Sequence, residues 1–187
     1  AKGQMKMAHA EAGTLFVHAG VTRGALELLD KPDRECIAEM NQRAFDAISH
    51  GFGPDDFVIA ALQSVEGREG MSRDGPTWTR RFGNDYYGGL RRGVCEEVKE
   101  VVERLGVDRM VKGHDPQDGW AKSYCDSRLL LTDTRMSEGY TGGRATSEYR
   151  LMALEMSTEG TDIRFVYPMR EEGQQCKAVP GAQSEAH

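Results

Sequence analysis

Apolar residues fall in short runs along this chain, and the runs separate by period. Val94, Val98, Val101, Val102 and Leu105 recur every three or four positions, with Glu96, Glu97, Lys99, Glu100, Glu103 and Arg104 between them. That spacing predicts an amphipathic helix over Val94–Leu105, ended by Gly106 as a left-handed cap. Cys36, Ile37, Met40, Ala44, Phe45, Ala47 and Ile48 predict another over Arg34–Ile48, with Asp33 as N-cap and His50 solvated at its end. The break at Gly51-Phe52-Gly53-Pro54 precedes a shorter helix over Asp55–Gln63. The remaining runs are short and nearly continuous, and they read as strands: Thr14–His18, Arg109–Lys112, Arg128–Thr132, Tyr149–Met156 and Asp162–Tyr167. Residues 1–12 lack periodicity and read as a leader. Beyond Pro168 the composition turns to Glu, Gln, Gly and Ala, which predicts a polar tail, disordered or wrapped on a partner.

Two of the strands end alike. Leu15-Phe16-Val17-His18-Ala19-Gly20 and Met110-Val111-Lys112-Gly113-His114-Asp115-Pro116 each carry a histidine beside glycine at the end of an apolar run. Glycine lets the chain turn sharply there, and a neutral imidazole at a strand tip is able to bind a divalent cation. The plainer alternative is that each histidine caps its strand and hydrogen-bonds a carbonyl. In an open α/β sheet ligands sit beyond the carboxyl ends of strands, where both histidines fall. Between them lies a stretch rich in Gly, Arg, Asp and aromatics, from Gly67 to Gly89, which reads as an ordered functional loop.

Composition narrows the class. A length of 187 residues suits one domain with a real core, and a mean hydropathy of −0.59 with no run of membrane-spanning length suits a soluble protein. The start carries no secretory apolar segment, although a targeting peptide could have been removed. A net charge of −6 without a basic block argues against nucleic acid as a partner. Cys36, Cys95, Cys125 and Cys176 are scattered with no C-x-x-C pair, which argues against a disulfide scaffold and favours a reducing, intracellular compartment, cytoplasmic or organellar.

Four segments in order carry a family resemblance. Phe16 to Val21 resembles the "VHAGI" segment of calcineurin-like metallophosphoesterases, phosphoprotein phosphatase branch, and Val111 to Gln117 resembles their "VxGHTPQ". Asp74 to Arg80 is similar to the "GPxWxR" stretch of the Shewanella-type and ApaH-like phosphatases, and Tyr124 to Gly143 to "CDGRxxxIDTGMSxxYGG". The resemblance implies an α/β fold, the C-terminal portion of a two-sheet sandwich flanked by helices, over residues 1–168, with a helical insertion near 33–63 and a tail at 169–187. It implies metal-dependent hydrolysis of phosphomonoesters, on a phosphoprotein or a small phosphoester, with Mn, Fe or Zn as cofactor. His18 and His114 become ligands of one metal. Arg80 becomes the phosphate clamp, because guanidinium offers a fork to two oxygens, with Arg81 the nearest substitute and Trp78 packing to hold the loop. Asp115 becomes an orienting group and Tyr140 a substrate-side residue. A surface Trp-Arg stack is the structural alternative for Trp78 and Arg80.

The chain also departs from the family. The motifs "GDxHG", "GDxxDRG" and "GNHE", which supply most of the metal ligands, have no counterpart here. Asp115 stands where the family has Thr, as a replacement ligand or an Asx-turn into Pro116, and Arg135 stands where it has Gly. These departures carry the competing expectation of a non-catalytic structural or binding subunit, docked in a larger complex and holding no metal. A third expectation is a piece of a longer enzyme. Half a sandwich should also leave one apolar face exposed, prone to aggregate or to bind another chain.

Overall fold

The computed structural model describes residues 5–51, 75–83, 89–117, 120–136, 151–168, 170–171 and 174–179. Five strands make the main sheet: β1 (Ala8–Glu11), β2 (Thr14–Val17), β3 (Arg109–Lys112), β4 (Lys122–Tyr124) and β5 (Leu129–Leu131), in spatial order β1-β2-β3-β5-β4. The three inner strands β2, β3 and β5 are parallel, while β1 and β4 are antiparallel edges. A smaller antiparallel sheet has the order β6 (Ala153–Met156), β7 (Ile163–Val166), β8 (Cys176–Ala178).

Strand parity divides the inner side chains between two cores. Leu15, Val17, Met110, Leu129 and Leu131 pack with the helices α1 (Arg23–Leu29), α2 (Cys36–His50) and α3 (Val94–Leu105). Phe16, Val111 and Leu130 point the other way, onto Ile163 and Phe165 of the smaller sheet and Tyr167 just after β7. Strands covered on both faces read as continuous apolar runs, which is how β3 and β5 appear in the sequence. The expected α/β class with two sheets and flanking helices is therefore what the chain adopts. The exposed apolar face is not: helices cover one side of the main sheet and the small sheet covers the other.

Val94–Leu105 and Arg109–Lys112 form as expected, with Gly106 in the left-handed region at φ 67°. Several other expectations are corrected. Asp33 does not cap α2; it begins a 3-10 turn, Asp33–Glu35, and its carboxylate accepts from Arg104 Nε at 2.9 Å, so a tertiary ion pair takes the place of the cap. The expected leader contains β1, whose outer backbone is satisfied by Asn41 of α2: its Oδ1 accepts from Met7 N and Ala8 N, and its Nδ2 donates to Ala8 O. That side-chain amide supplies what an edge strand lacks. Cys176–Ala178, expected in a disordered or wrapped tail, pairs with β7, and Val179 behind it is buried. Cys95 and Cys125 form a disulfide joining the first turn of α3 to the turn between β4 and β5, against the reading from cysteine spacing. Spacing along the chain does not report which residues the fold brings together. The expected helix Asp55–Gln63 lies outside the described residues.

Candidate functional site at the tips of the parallel strands

β2 and β3 run in parallel with Val17 opposite Lys112, so the residues that follow both strands leave the same edge of the sheet. Gly113 N donates to His18 O at 2.9 Å and ties the tips together. The next residue, His114, takes a φ of 65°, a conformation uncommon outside glycine and a mark of a backbone held by its surroundings. Its Nδ1 lies 3.0 Å from His18 Nε2, with the rings edge to face at 4.8 Å. His114 Nε2 is buried and has no hydrogen-bond partner among the described residues. Burial, together with the nearby Arg80 and His18, pushes the His114 imidazole below its ordinary range, so the neutral ring is favoured.

The segment 75–83 closes one side. Pro76 O accepts from Ala19 N at 2.7 Å, and Gly75 O accepts from Thr79 N at 3.1 Å, which curls the segment against the tip of β2. Phe82 is fully buried and lies on Gly20, whose φ of 125° and lack of a Cβ allow the ring to sit there. Phe82 is therefore the packing anchor expected of Trp78, which is instead 45% exposed with its indole edge-on to His114 at 5.9 Å. The two neighbouring arginines part company. Arg80 Nη1 donates to Asp115 Oδ1 at 3.1 Å and its side chain is 55% exposed at the cleft. Arg81 turns away to Glu97 of α3, Nε to Oε2 at 2.7 Å, and to Arg92 O.

Asp115 forms neither the expected Asx-turn nor an open ligand position. Its Oδ2 is paired with the ammonium of Lys112, whose side chain is completely buried, and its Oδ1 receives Arg80. A Cβ at Gly83 would sit 2.5 Å from that carboxylate, so the close approach requires glycine. Burial pushes the Lys112 ammonium below its ordinary range and the Asp115 carboxylate partly restores it. Arg135 adopts φ 57°, a left-handed conformation that favours glycine, and its N donates to Asp133 Oδ1 at 3.1 Å. Of the expected site residues, His18, Arg80, His114 and Asp115 are brought together, and Tyr140 lies outside the described residues. Lys112 and Gly83 were not foreseen. A lysine closing an otherwise apolar strand run was the available signal for the first; nothing local marks the second.

No protein-family profile matches the chain. An uncharacterised protein of Schizosaccharomyces pombe is 37% identical over 96 residues, which is 50% of this chain and 26% of that protein. A cold-active protein tyrosine phosphatase superposes with a TM-score of 0.60 at 12% identity, over 98% of this chain and 45% of that one. The cold-active protein-tyrosine phosphatase of a psychrophilic Shewanella species superposes at 0.52, again at 12% identity, over 95% and 44%. The chain thus spans about a quarter of the curated relative and less than half of these structures. Identities this low carry the fold alone, here an α/β fold with two sheets.

Proposed function

We propose that the cleft at the strand tips is part of a metal-dependent phosphoesterase centre of the calcineurin-like, phosphoprotein phosphatase type, acting on phosphomonoesters. The observation that carries this reading is the pairing of His18 and His114 at 3.0 Å on adjacent parallel strands, with a half-exposed arginine beside them. Two nitrogens bound to one ion at about 2.1 Å each would be separated by about 3.0 Å at a right angle and about 3.4 Å at the tetrahedral angle that zinc favours, so the observed spacing is close to both. The two imidazoles therefore fit a divalent ion such as Mn, Fe or Zn. They do not complete its shell: among the described residues no three His, Cys, Asp or Glu side chains cluster as a ligand set, and Asp115 is engaged by two cations. Carboxylate ligands would come from beyond these residues.

When bound, such an ion would activate water and neutralise phosphoryl charge. This chain's own contributions are separate from that. The neutral His114 ring presents a lone pair without first losing a proton. Arg80 offers its outward donors to equatorial phosphate oxygens, where charge develops. Trp78 walls the cleft beside His114. Asp115 favours a second reading, a retired domain serving as a scaffold in a larger complex, because its pairing removes the nearest carboxylate from ligation.

Hydrolysis of a generic aryl phosphate by the natively isolated full-length protein separates the two readings. The catalytic reading expects manganese-dependent turnover that chelator abolishes and His114→Ala lacks. Equal background rates for both forms under Mn, Fe and Zn would overturn it in favour of the scaffold.

A further inference from the structure

The buried lysine is the least expected group in the site. A strand flanked on both sides in a parallel sheet rarely closes on a charge, yet all four residues of β3 are buried and the last of them is Lys112. An ammonium out of water persists only when paired. Its counter-charge, Asp115, stands three residues on, across the left-handed corner at His114. The carboxylate is in turn held on its far side by Arg80 and seated against Gly83. Lys112, Asp115 and Arg80 thus form a chain of alternating charge that runs from the sheet interior to the cleft. Asp133 adds a second negative charge near Lys112, and the exposed end of the chain is the guanidinium of Arg80.

We infer that Lys112 and Asp115 are positioning residues, which hold the Arg80 guanidinium at Nη1 so that its Nε and Nη2 face the anionic phosphoryl group of a phosphomonoester bound over His18 and His114. Arg80 Nη1 faces Asp115 Oδ1 and His114 O, while its Nε and Nη2 have no protein acceptor among the described residues. An arginine clamped on one side loses less freedom when it grips two oxygens on the other. Lys112 makes the clamp possible. Without it, Asp115 would be a lone buried carboxylate with only a half-exposed partner.

This rests on the phosphoesterase reading for its substrate but not for its test, which uses inorganic phosphate binding to the full-length protein by calorimetry. Lys112→Met alone would strand Asp115 and risk misfolding, so the informative variant is the double change Lys112→Met with Asp115→Thr, which removes both buried charges together. Relative to the native protein, it should weaken phosphate binding about tenfold or more, as loss of an oriented charged hydrogen bond does, while the melting temperature stays close to native. In an Arg80→Ala background the double change should add less than about twofold, because residues acting through one another are not additive. In turnover, it should raise KM with a smaller change in kcat. Phosphate affinity unchanged by the double change, or reduced equally with and without Arg80, would overturn the inference. No detectable phosphate binding by the native protein would overturn it too. Absence of turnover with phosphate binding still dependent on the triad would instead count against the phosphoesterase reading alone and leave the positioning role standing.

Discussion

The two ends of the same parallel strands treat charge differently. At the amino ends, Arg109 is buried, and its Nη1 donates to Gly160 O at 2.6 Å, linking the two sheets. Its role there is mechanical. At the carboxyl ends the polar groups converge on one another: Arg80 is held through Nη1 and is half-exposed, His114 keeps an unpartnered buried nitrogen among the described residues, and the backbone at His114 is in a costly conformation. Buried polar atoms and strained residues that serve only the fold are normally eliminated or satisfied. Such features occur at both ends, since Arg109 Nε also lacks a partner among the described residues and Ala12, Cys125, Asp126 and Ser127 also take positive φ. What distinguishes the carboxyl ends, where α/β sheets hold ligands, is that two imidazoles and a half-exposed guanidinium meet there. The adjacent arginines repeat the contrast within two residues, Arg80 facing the cleft and Arg81 facing Glu97.

That comparison is exposed to direct perturbation. The largest effect expected is on chemistry at the carboxyl ends: His114→Ala in the full-length protein should lower metal-dependent aryl phosphate turnover about a thousandfold, the scale of several kcal/mol of metal-derived stabilisation. Steady-state kinetics checks it, and turnover within a few-fold of native would erase the distinction between the ends. Next, replacing Cys95 and Cys125 by alanine should cost about 3–4 kcal/mol of stability, the entropy of a loop closed across 30 positions. Denaturant unfolding with and without reductant measures this; native protein indifferent to reductant would show that the bond is not formed. Arg109→Met should cost about 2 kcal/mol through its lost hydrogen bonds and leave KM unchanged. A raised KM there would mean that the amino ends are not purely structural. Arg81→Lys should cost about 1 kcal/mol, read as a shift in melting temperature, again with KM unchanged.

The smallest effect is a slope. The His114 pKa is depressed in the folded chain relative to an ordinary value of 6.5. The unfolded chain therefore binds its proton first on acidification. Its contribution to stability is complete above about pH 6.5 and is lost as the pH falls from there through the depressed folded value. Thermal melts across that window should flatten in His114→Gln; an unchanged slope would place the acid sensitivity elsewhere.

What could be read from the sequence followed from how local the physics is. α3 carries its period and its glycine cap within one stretch, and β3 its apolar run, so both were visible residue by residue. The histidines were visible because strand-His beside glycine is itself a local pattern. β1 was hidden because Ala8 and Ala10 are weakly apolar and its edge is completed by Asn41, over thirty residues away. β4 is Lys-Ser-Tyr and β8 Cys-Lys-Ala, strands that exist through pairing with a neighbour and not through their own pattern. The disulfide and the anchoring of the 75–83 segment by Phe82 likewise depend on tertiary proximity. Asp115 was noticed as a departure, yet its engagement by Lys112 needed the parity of β3 and the corner at His114 together.

The central claim is that both histidines serve one ion. Pulsed electron paramagnetic resonance of manganese bound to the full-length protein reads nitrogen coupling to the metal directly. Coupling from two imidazoles, reduced to one in His18→Ala and likewise in His114→Ala, is the predicted result. Bound manganese with no nitrogen coupling, or with coupling that neither substitution changes, would contradict it.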